Sequence, residues 1–127
     1  LVRHAHADPS GPSEPDELRP LSARGREEAR VLGEELAEHE PALVLASPLL
    51  RARETAAAIA KAADAELRID DRLAPGADPE AVLEAIDGEA GPVVTVGHQP
   101  DCSLLAEAFG AGELKFPPAG HVVVELP

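Results

Sequence analysis

Short, continuous apolar runs alternate along this chain with longer segments in which apolar residues recur every three or four positions. Two of the runs, Ala42 to Ala46 and Pro92 to Val96, have the composition of strands that are buried on both faces of a parallel sheet. Residues such as Ala29, Leu32 and Leu36 recur at helical spacing among charged residues. The pattern predicts buried strands that alternate with amphipathic helices.

Capping residues and prolines indicate where the first helices begin and end. Ser22 is predicted to cap the first helix, and Pro41 is predicted to stop it. Ser47 and Pro48 are predicted to supply the cap and the first position of the second helix. This start places Arg51 in the first turn of that helix, close to the end of the preceding strand.

A third strand and a third helix are predicted next. The strand is weaker and lies around Leu67 to Ile69, and Asp78 and Pro79 open the helix that follows it. The predicted apolar side of this helix consists of Val82, Leu83 and Ile86. The order of elements therefore repeats a strand-then-helix unit.

The last helix and a final strand complete the predicted elements. Asp101 is predicted to cap the helix, and His121 to Leu126 are predicted to form a strand at a sheet edge. The inward side of the helix is predicted to consist of Leu104, Leu105 and Phe109. Alternating strands and helices imply a three-layer α/β/α sandwich with a mostly parallel sheet and right-handed crossovers.

Length, charge and cysteine content limit the class of protein. A chain of 127 residues with 44% hydrophobic residues suffices for one compact domain, so residues 1–127 are predicted to form a single domain. The net charge of -13 argues against nucleic acid or an anionic membrane as partner. A single cysteine cannot form an internal disulfide, which favours a reducing compartment, and we expect the cytoplasm. The sequence holds no methionine, so we expect residues before Leu1.

Basic side chains follow three of the predicted strands. Arg3 and His4 come directly after the first strand, Arg51 follows the second, and His98 follows the strand that ends near Val96. The carboxyl ends of parallel strands converge on one crevice, where ligands bind. These side chains are therefore predicted to meet there and to form a site for a phosphoryl group.

The chemistry of these side chains suits phosphoryl transfer. A neutral imidazole is a good nucleophile, and His4 is the candidate for it. Fixed cationic donors stabilise the charge that spreads over the transferring group, and Arg3, Arg51 and His98 are the candidates for that role. The scheme needs no metal ion, and we expect no cofactor.

The motifs that carry these residues resemble those of the histidine phosphatase superfamily, which has a phosphoglycerate mutase-like fold. They are Leu-Val-Arg-His at residues 1–4, Ser-Pro-x-x-Arg-Ala-x-x-Thr at residues 47–55 and Val-Gly-His at residues 96–98. Leu-Arg-Pro-Leu-Ser-x-x-Gly at residues 18–25 is similar to the small branch of SixA-type phosphohistidine phosphatases. The resemblance covers nearly the whole chain, and three motifs in this order are far more specific than one.

The resemblance implies an activity and a set of site residues. It implies that His4 accepts the phosphoryl group, that Arg3, Arg51 and His98 form the phosphate pocket, and that Arg19 lies near the site. The implied substrate is a phosphohistidine on a signalling protein, and the short connection between Leu73 and Asp78 suggests a site open enough for a protein side chain. A small phosphate ester is the alternative substrate. The sequence does not indicate an oligomeric state.

Two positions depart from the family pattern. Ala5 stands where many members have glycine, which is acceptable unless the backbone there requires a positive φ. No residue clearly matches the glutamate that larger members use as general acid, and Asp8, Asp71 and Asp78 are the only candidates considered. A phosphoester substrate would need such an acid more than a phosphohistidine would.

Two other functions are compatible with parts of the sequence. His4 and His6 stand two residues apart and could chelate zinc in a hydrolase, although further ligands at suitable spacing are missing. The site could also bind a phosphorylated ligand without turnover. Cys102 is interpreted as a small, partly buried hydrophobic residue, because position 108 lacks the arginine of a cysteine phosphatase loop.

Overall fold

The computed structural model describes residues 1–9 and 13–126, and these contain one parallel sheet. Its strands are β1 (Val2–Arg3), β2 (Leu43–Ala46), β3 (Glu66–Ile69) and β4 (Val93–Gly97). They lie side by side in the order β1-β4-β2-β3, and each neighbouring pair is parallel. The helices are α1 (Ala23–Ala37), α2 (Leu50–Ala63), α3 (Pro79–Ile86) and α4 (Asp101–Ala108). The predicted alternation of strands and helices is confirmed.

The helices cover the sheet in two layers. Alternate residues of a strand point to opposite faces, so Val44 and Ala46 pack against α1 and α2. Leu43 and Leu45 point the other way and pack with Val82 of α3 and with α4. The three-layer α/β/α sandwich predicted from the sequence is therefore correct. No helix among the described residues has both the length and the apolar character that crossing a membrane requires.

The start of α1 is fastened to the loop that follows β1. Ser22 caps the helix as predicted, because its hydroxyl oxygen accepts the Gly25 N–H at 3.0 Å. A Cβ atom at Gly25 would lie only 1.9 Å from the carbonyl oxygen of His6. Glycine is thus required here because two backbones approach too closely for any side chain.

Replacing Gly25 with alanine is expected to lower the free energy of unfolding by about 1–3 kcal/mol or more, which is typical of overpacking. The matched control is Gly91→Ala, because a Cβ there meets nothing within 4 Å. We expect Gly91→Ala to change stability by less than about 0.5 kcal/mol. Urea unfolding of both variants measures the difference. Equal free energies of unfolding would show that the backbones of α1 and the β1 loop can move apart at little cost.

Two predicted helix boundaries are wrong. The helix α2 begins at Leu50 rather than directly after Ser47, because the Ser47 hydroxyl is held by the ring of His98 and accepts the Leu49 N–H instead. The helix α1 ends at Ala37, four residues before Pro41. The turn that follows α1 is what stops it, since Glu40 there has a positive φ of 51°.

The last part of the chain also differs from the prediction. Asp101 lies inside α4 rather than at its cap, and its buried carboxylate accepts the backbone N–H groups of Gly76 and Ala77 at 2.9 and 3.2 Å. Two residues predicted to face inward are exposed, Leu83 and Leu104. Each stands next to a buried residue, Val82 or Leu105, and adjacent helical residues point about 100° apart, so only one of each pair faces the sheet.

The predicted edge strand over residues 121–126 is not formed. His121 makes a single antiparallel bridge to Val2, and Leu1 and Val122 exchange two backbone hydrogen bonds of 3.0 Å. The segment lies beside β1, at a sheet edge as predicted. It pairs no further because β1 itself is only two residues long.

Candidate active site

The sheet brings the predicted site residues together at the carboxyl ends of its strands. β1 and β4 are neighbours, and the backbone N–H of His4 donates to the Gly97 carbonyl at 3.0 Å. This contact sets His4 beside His98, with ring centroids 5.3 Å apart. On the next strand, the backbone N–H of Ser47 donates to the Val96 carbonyl at 3.0 Å, which aligns the start of α2 with the same crevice.

The ring of His4 is oriented by its own backbone neighbour. Its Nδ1 lies 2.7 Å from the carbonyl oxygen of Ala5, and a carbonyl only accepts, so Nδ1 carries the hydrogen and Nε2 carries a lone pair. Burial is the main cause that lowers the pKa of His4 from 6.5 to about 4; the Ala5 carbonyl opposes this, and the charges of Arg51 and Arg3 add to it. His4 is thus neutral at neutral pH, as a nucleophile must be.

His98 completes a pair of neutral imidazoles. Its Nε2 lies 2.7 Å from the Ser47 hydroxyl, and its Nδ1 is buried without a hydrogen-bond partner among the described residues. Burial chiefly, followed by the nearby His4 and Arg51, lowers its pKa to about 4. We assign the Ser47 hydroxyl hydrogen to Nε2, which leaves Nδ1–H as a donor. An unpaired buried donor is costly, and an anion oxygen would satisfy it.

Two arginines supply the positive charge of the site. Arg3 donates from Nη1 to the Phe116 carbonyl at 2.9 Å, while its Nε is buried and unpaired within the described chain. Arg51 is 7% exposed and donates from Nη1 to the main-chain oxygen of Asp16 at 3.0 Å. These hydrogen bonds fix both guanidinium groups and leave N–H donors available, which is the arrangement that an anion pocket needs.

Arg19 lies at the outer side of the pocket. Its Nε donates to the Asp8 carbonyl at 2.9 Å, and its Nη1 lies 3.2 Å from a carboxylate oxygen of Asp16. Its charge also contributes to lowering the pKa of His4, so it is within electrostatic reach of the ring. The sequence-predicted set of Arg3, His4, Arg19, Arg51 and His98 is thus brought to one place.

Thr55 links the backbone that follows His4 to the backbone of Arg51. Its hydroxyl accepts the Ala5 N–H at 3.0 Å and donates to the Arg51 carbonyl at 2.8 Å. Thr55 ends the motif of residues 47–55 and was not predicted to have a role in the site, although its spacing of four from Arg51 puts both on one side of α2. Ala5 is not among the described residues with a positive φ, so alanine is unstrained there.

Asp16 is a site residue that sequence reasoning missed. It lies in a short 3₁₀ turn, Asp16–Leu18, where one carboxylate oxygen is 3.2 Å from Nη2 of Arg51 and the other is 3.2 Å from Nη1 of Arg19. The pKa of Asp16 is held below its ordinary value, chiefly by the hydrogen bond from Arg19. The turn follows a proline-rich segment without periodicity, so no pattern pointed to it.

The three acids that the sequence offers as proton donors lie in different settings. Asp78 caps α3 by accepting the Ala81 N–H at 3.2 Å, and the Asp8 main chain pairs with Arg19 and Pro20. Asp71 begins a 3₁₀ turn and is exposed. Across residues 1–9 and 13–126, no hydrogen bond or ion pair joins any of the three to His4 or His98. Their role as proton donor stays a prediction.

The zinc alternative gains no support from the geometry. The ring of His4 lies beside that of His98, whereas Nδ1 of His6 lies 2.6 Å from the Ser22 hydroxyl. The rings of His4 and His6 therefore have different partners. The part of the chain that is described contains no group of three His, Cys, Asp or Glu side chains able to hold a metal ion. Cys102 is 2% exposed and so more buried than expected, and burial raises the pKa of its thiol to about 12.

The lowered pKa values of His4 and His98 predict a measurable titration. NMR titration of the five histidines should show these two rings taking up protons near pH 4, and His4→Ala and His98→Ala assign the signals. In the unfolded chain the same two rings take up protons near pH 6.5. Their contribution to the free energy of unfolding is therefore fully present above pH 6.5, and it is lost as the pH drops towards 4. Titration of both rings near 6.5 would contradict the neutral pair.

Comparison with known proteins agrees with this geometry. A protein histidine phosphatase SixA complexed with tungstate superposes with a TM-score of 0.78, at 26% identity over 93% of this chain and 81% of that one. A structure from Agrobacterium tumefaciens, named as a candidate phosphohistidine phosphatase SixA, gives a TM-score of 0.73 and 29% identity over 93% and 84% of the two chains. These similarities confirm the predicted phosphoglycerate mutase-like fold.

Sequence comparison identifies the family. An uncharacterized protein of Picosynechococcus sp. (strain ATCC 27264 / PCC 7002 / PR-6) is 34% identical over 124 residues, which cover 89% of this chain and 73% of that protein. The family model described as histidine phosphatase superfamily (branch 1) matches residues 1–75, which include Arg3, His4 and Arg51. The chain belongs to the histidine phosphatase superfamily and is a phosphatase.

Proposed function

We propose that this phosphatase removes the phosphoryl group from a phosphohistidine side chain of a signalling protein, with His4 as the nucleophile. The observation that supports His4 as the nucleophile is the hydrogen bond of 2.7 Å from Nδ1 of His4 to the Ala5 carbonyl. It fixes the tautomer in which Nε2 has a lone pair. Burial keeps the ring neutral, so this lone pair is available at neutral pH.

In the first step, Nε2 of His4 attacks the phosphorus atom of the substrate. A bond forms between Nε2 and phosphorus, and the bond between phosphorus and the substrate imidazole breaks. The electron pair of the broken bond goes to the leaving nitrogen, which takes a proton from solvent. The phosphorylated His4 ring then carries a positive charge, which its Nδ1–H shares with the Ala5 carbonyl.

In the second step, a water molecule attacks the same phosphorus atom. The bond between Nε2 and phosphorus breaks, and its electron pair returns to Nε2. The water supplies one oxygen to the product and releases a proton to solvent, so inorganic phosphate leaves and neutral His4 is restored. Two displacements replace one harder displacement by water on the substrate itself.

The donors around His4 suit the charge of the transferring group. Nε of Arg3 and Nδ1 of His98 are buried and have no other partner among the described residues. Guanidinium N–H groups of Arg51 add a planar fork beside them. Donors that are already fixed need no reorganisation when charge moves onto the phosphoryl oxygens, which lowers the barrier electrostatically.

The ionised carboxylate of Asp16 supports phosphohistidine, rather than an ester of an alcohol, as the substrate. Asp16 is the carboxylate that contacts the arginines of the pocket, and they hold its pKa below the ordinary value. An ionised carboxylate cannot protonate an alkoxide leaving group. An imidazole leaves readily without such help, whereas an ester of an alcohol does not. The two solved structures compared above are named as a candidate phosphohistidine phosphatase and as a protein histidine phosphatase, and the similarity of this chain to them supports the same substrate class.

Release of inorganic phosphate from two substrates tests this function. A histidine-phosphorylated protein domain should be hydrolysed with a kcat/KM about 100-fold or more above that of the same domain phosphorylated on serine, a ratio that reflects the greater need of a serine ester for a general acid. EDTA should leave both rates unchanged. Comparable rates on the two domains, or faster turnover of a small phosphate ester, would reject phosphohistidine and favour the ester as substrate.

A further inference from the structure

An acidic side chain of the protein forms ion pairs with two arginines of the phosphate pocket. The Asp16 carboxylate lies 3.2 Å from Nη2 of Arg51 through Oδ2 and 3.2 Å from Nη1 of Arg19 through Oδ1. It therefore bridges the two guanidinium groups as one planar anion. A phosphoryl group would seek the same N–H donors, since carboxylate and phosphate share this recognition geometry.

The burial of the partners differs sharply. The Arg51 side chain is 9% exposed, whereas the Asp16 side chain is 58% exposed. The 3₁₀ turn Asp16–Leu18 contains no buried residue, so moving the carboxylate away disturbs no part of the hydrophobic core. The arginine is fixed in the pocket, and the acid reaches it from the surface.

The main chain keeps Arg51 in place independently of the carboxylate. Nη1 of Arg51 donates to the backbone oxygen of Asp16 at 3.0 Å, and this oxygen is present whatever the side chain is. Arg51 is also 7% exposed overall, so packing limits its alternatives. The carboxylate is thus not needed to orient the guanidinium, and its remaining effect is to compete for it.

We propose that Asp16 is a displaceable internal anion that competes with the phosphoryl group for Arg51 and Arg19 and so sets the affinity of the pocket for phosphate ligands. The inference rests on the proposed function only in taking these arginines as the phosphate pocket. When a phosphoryl group arrives, it replaces the Asp16 carboxylate at the two arginines. The reverse replacement assists release of inorganic phosphate, because the carboxylate competes with the bound product for the same two arginines.

Calorimetric titration with tungstate and with orthophosphate tests the inference. Asp16→Asn removes the charge, preserves the shape and the backbone oxygen, and should bind both anions about threefold to tenfold more tightly than the wild type, within the combined range of the two ion pairs that Asp16 makes. Glu17→Gln is the matched control, because it removes one negative charge from the next position of the same turn. Its affinity should stay within about twofold of the wild type at moderate ionic strength.

Three results would overturn the inference. Equal anion affinity in the wild type and Asp16→Asn would show that the carboxylate does not compete, and weaker affinity in the variant would show that it orients the arginines instead. An equal gain in Glu17→Gln would reduce the effect to general charge. Asp16→Ala, checked by thermal unfolding, provides a second variant with the same expected gain.

The same titration separates this inference from the proposed function. Failure of the wild type and of both Asp16 variants to bind either anion would reject the pocket itself, and the inference with it. Binding that is equal in all variants would reject the competition alone. During turnover, Asp16→Asn should lower the inhibition constant of orthophosphate by the same factor as its dissociation constant, and an unchanged inhibition constant would count against competition.

Discussion

His4→Ala is expected to lower kcat for phosphate release by roughly 10⁴-fold or more, the order found when a covalent nucleophile is removed. The variant lacks Nε2, so water must attack the substrate directly. The pocket cations lie on other residues, and Arg51 in particular is held by the main chain of Asp16. We therefore expect the variant to keep its tungstate affinity within a few-fold while turnover is lost, measured by calorimetry and by steady-state phosphate release.

His6→Ala is the matched control for His4→Ala. His6 lies two residues away in the same loop, but its Nδ1 is bonded to the Ser22 hydroxyl and its ring has no contact with His98 in the described chain. We expect kcat to fall by less than about tenfold in this variant. A His4→Ala enzyme with more than a tenth of wild-type turnover, or a larger loss in His6→Ala, would contradict the assignment of the nucleophile.

Arg51→Lys is expected to lower kcat/KM by about 10²- to 10³-fold, the usual effect of losing one fixed donor at the developing charge. Lysine keeps the positive charge, but an ammonium group cannot present the planar fork that holds two oxygens at once. It also lacks the Nη1 group that donates to the main-chain oxygen of Asp16 and so fixes the guanidinium. Steady-state kinetics, with thermal unfolding as a check on folding, measure the effect.

Arg53→Lys is the matched control for Arg51→Lys. The same substitution then falls two residues later on α2, about 200° around the helix from Arg51. We expect kcat/KM within about threefold of the wild type, because this change leaves the Arg51 fork in place. Similar losses in the two variants would mean that an arginine-to-lysine change anywhere on α2 slows the enzyme, and the loss could not be assigned to the fixed fork of Arg51.

The framework of the site could be predicted from the sequence because it depends on local patterns. The apolar runs that became β2 and β4 are buried on both faces, and such runs are recognisable without tertiary information. Parallel strands then bring their carboxyl ends to one edge, so the convergence of His4, Arg51 and His98 followed from their positions directly after strands. All three lie where that reasoning placed them.

The contacts that tune the site could not be predicted because they join residues far apart in the chain. Asp16 meets Arg51 across 35 positions, and Asp101 accepts backbone N–H groups 24 and 25 positions away. Neither contact leaves a periodic signal in the sequence. Ser47 had a good local reason to cap a helix, but its hydroxyl is bonded to His98, so a tertiary contact overrode the local preference.

The exposed side of α4 shows a second limit of pattern reasoning. Leu104 and Leu105 both looked like core residues, yet Leu104 is 55% exposed and Leu105 is 3% exposed. Adjacent helical residues point about 100° apart, so only one of them can face the sheet. The choice between them depends on where α4 sits on the sheet, and the sequence of a helix of eight residues does not specify that position.

The central claim is that the phosphoryl group passes through His4, and trapping the intermediate tests it most directly. The enzyme is mixed with a histidine-phosphorylated protein, quenched within milliseconds in alkali, digested and analysed by mass spectrometry. We predict one phosphoryl group, stable in alkali and lost in acid, on the peptide that contains His4. Turnover at full rate without any phosphorylated His4, or a phosphoryl group trapped on another residue, would contradict the account.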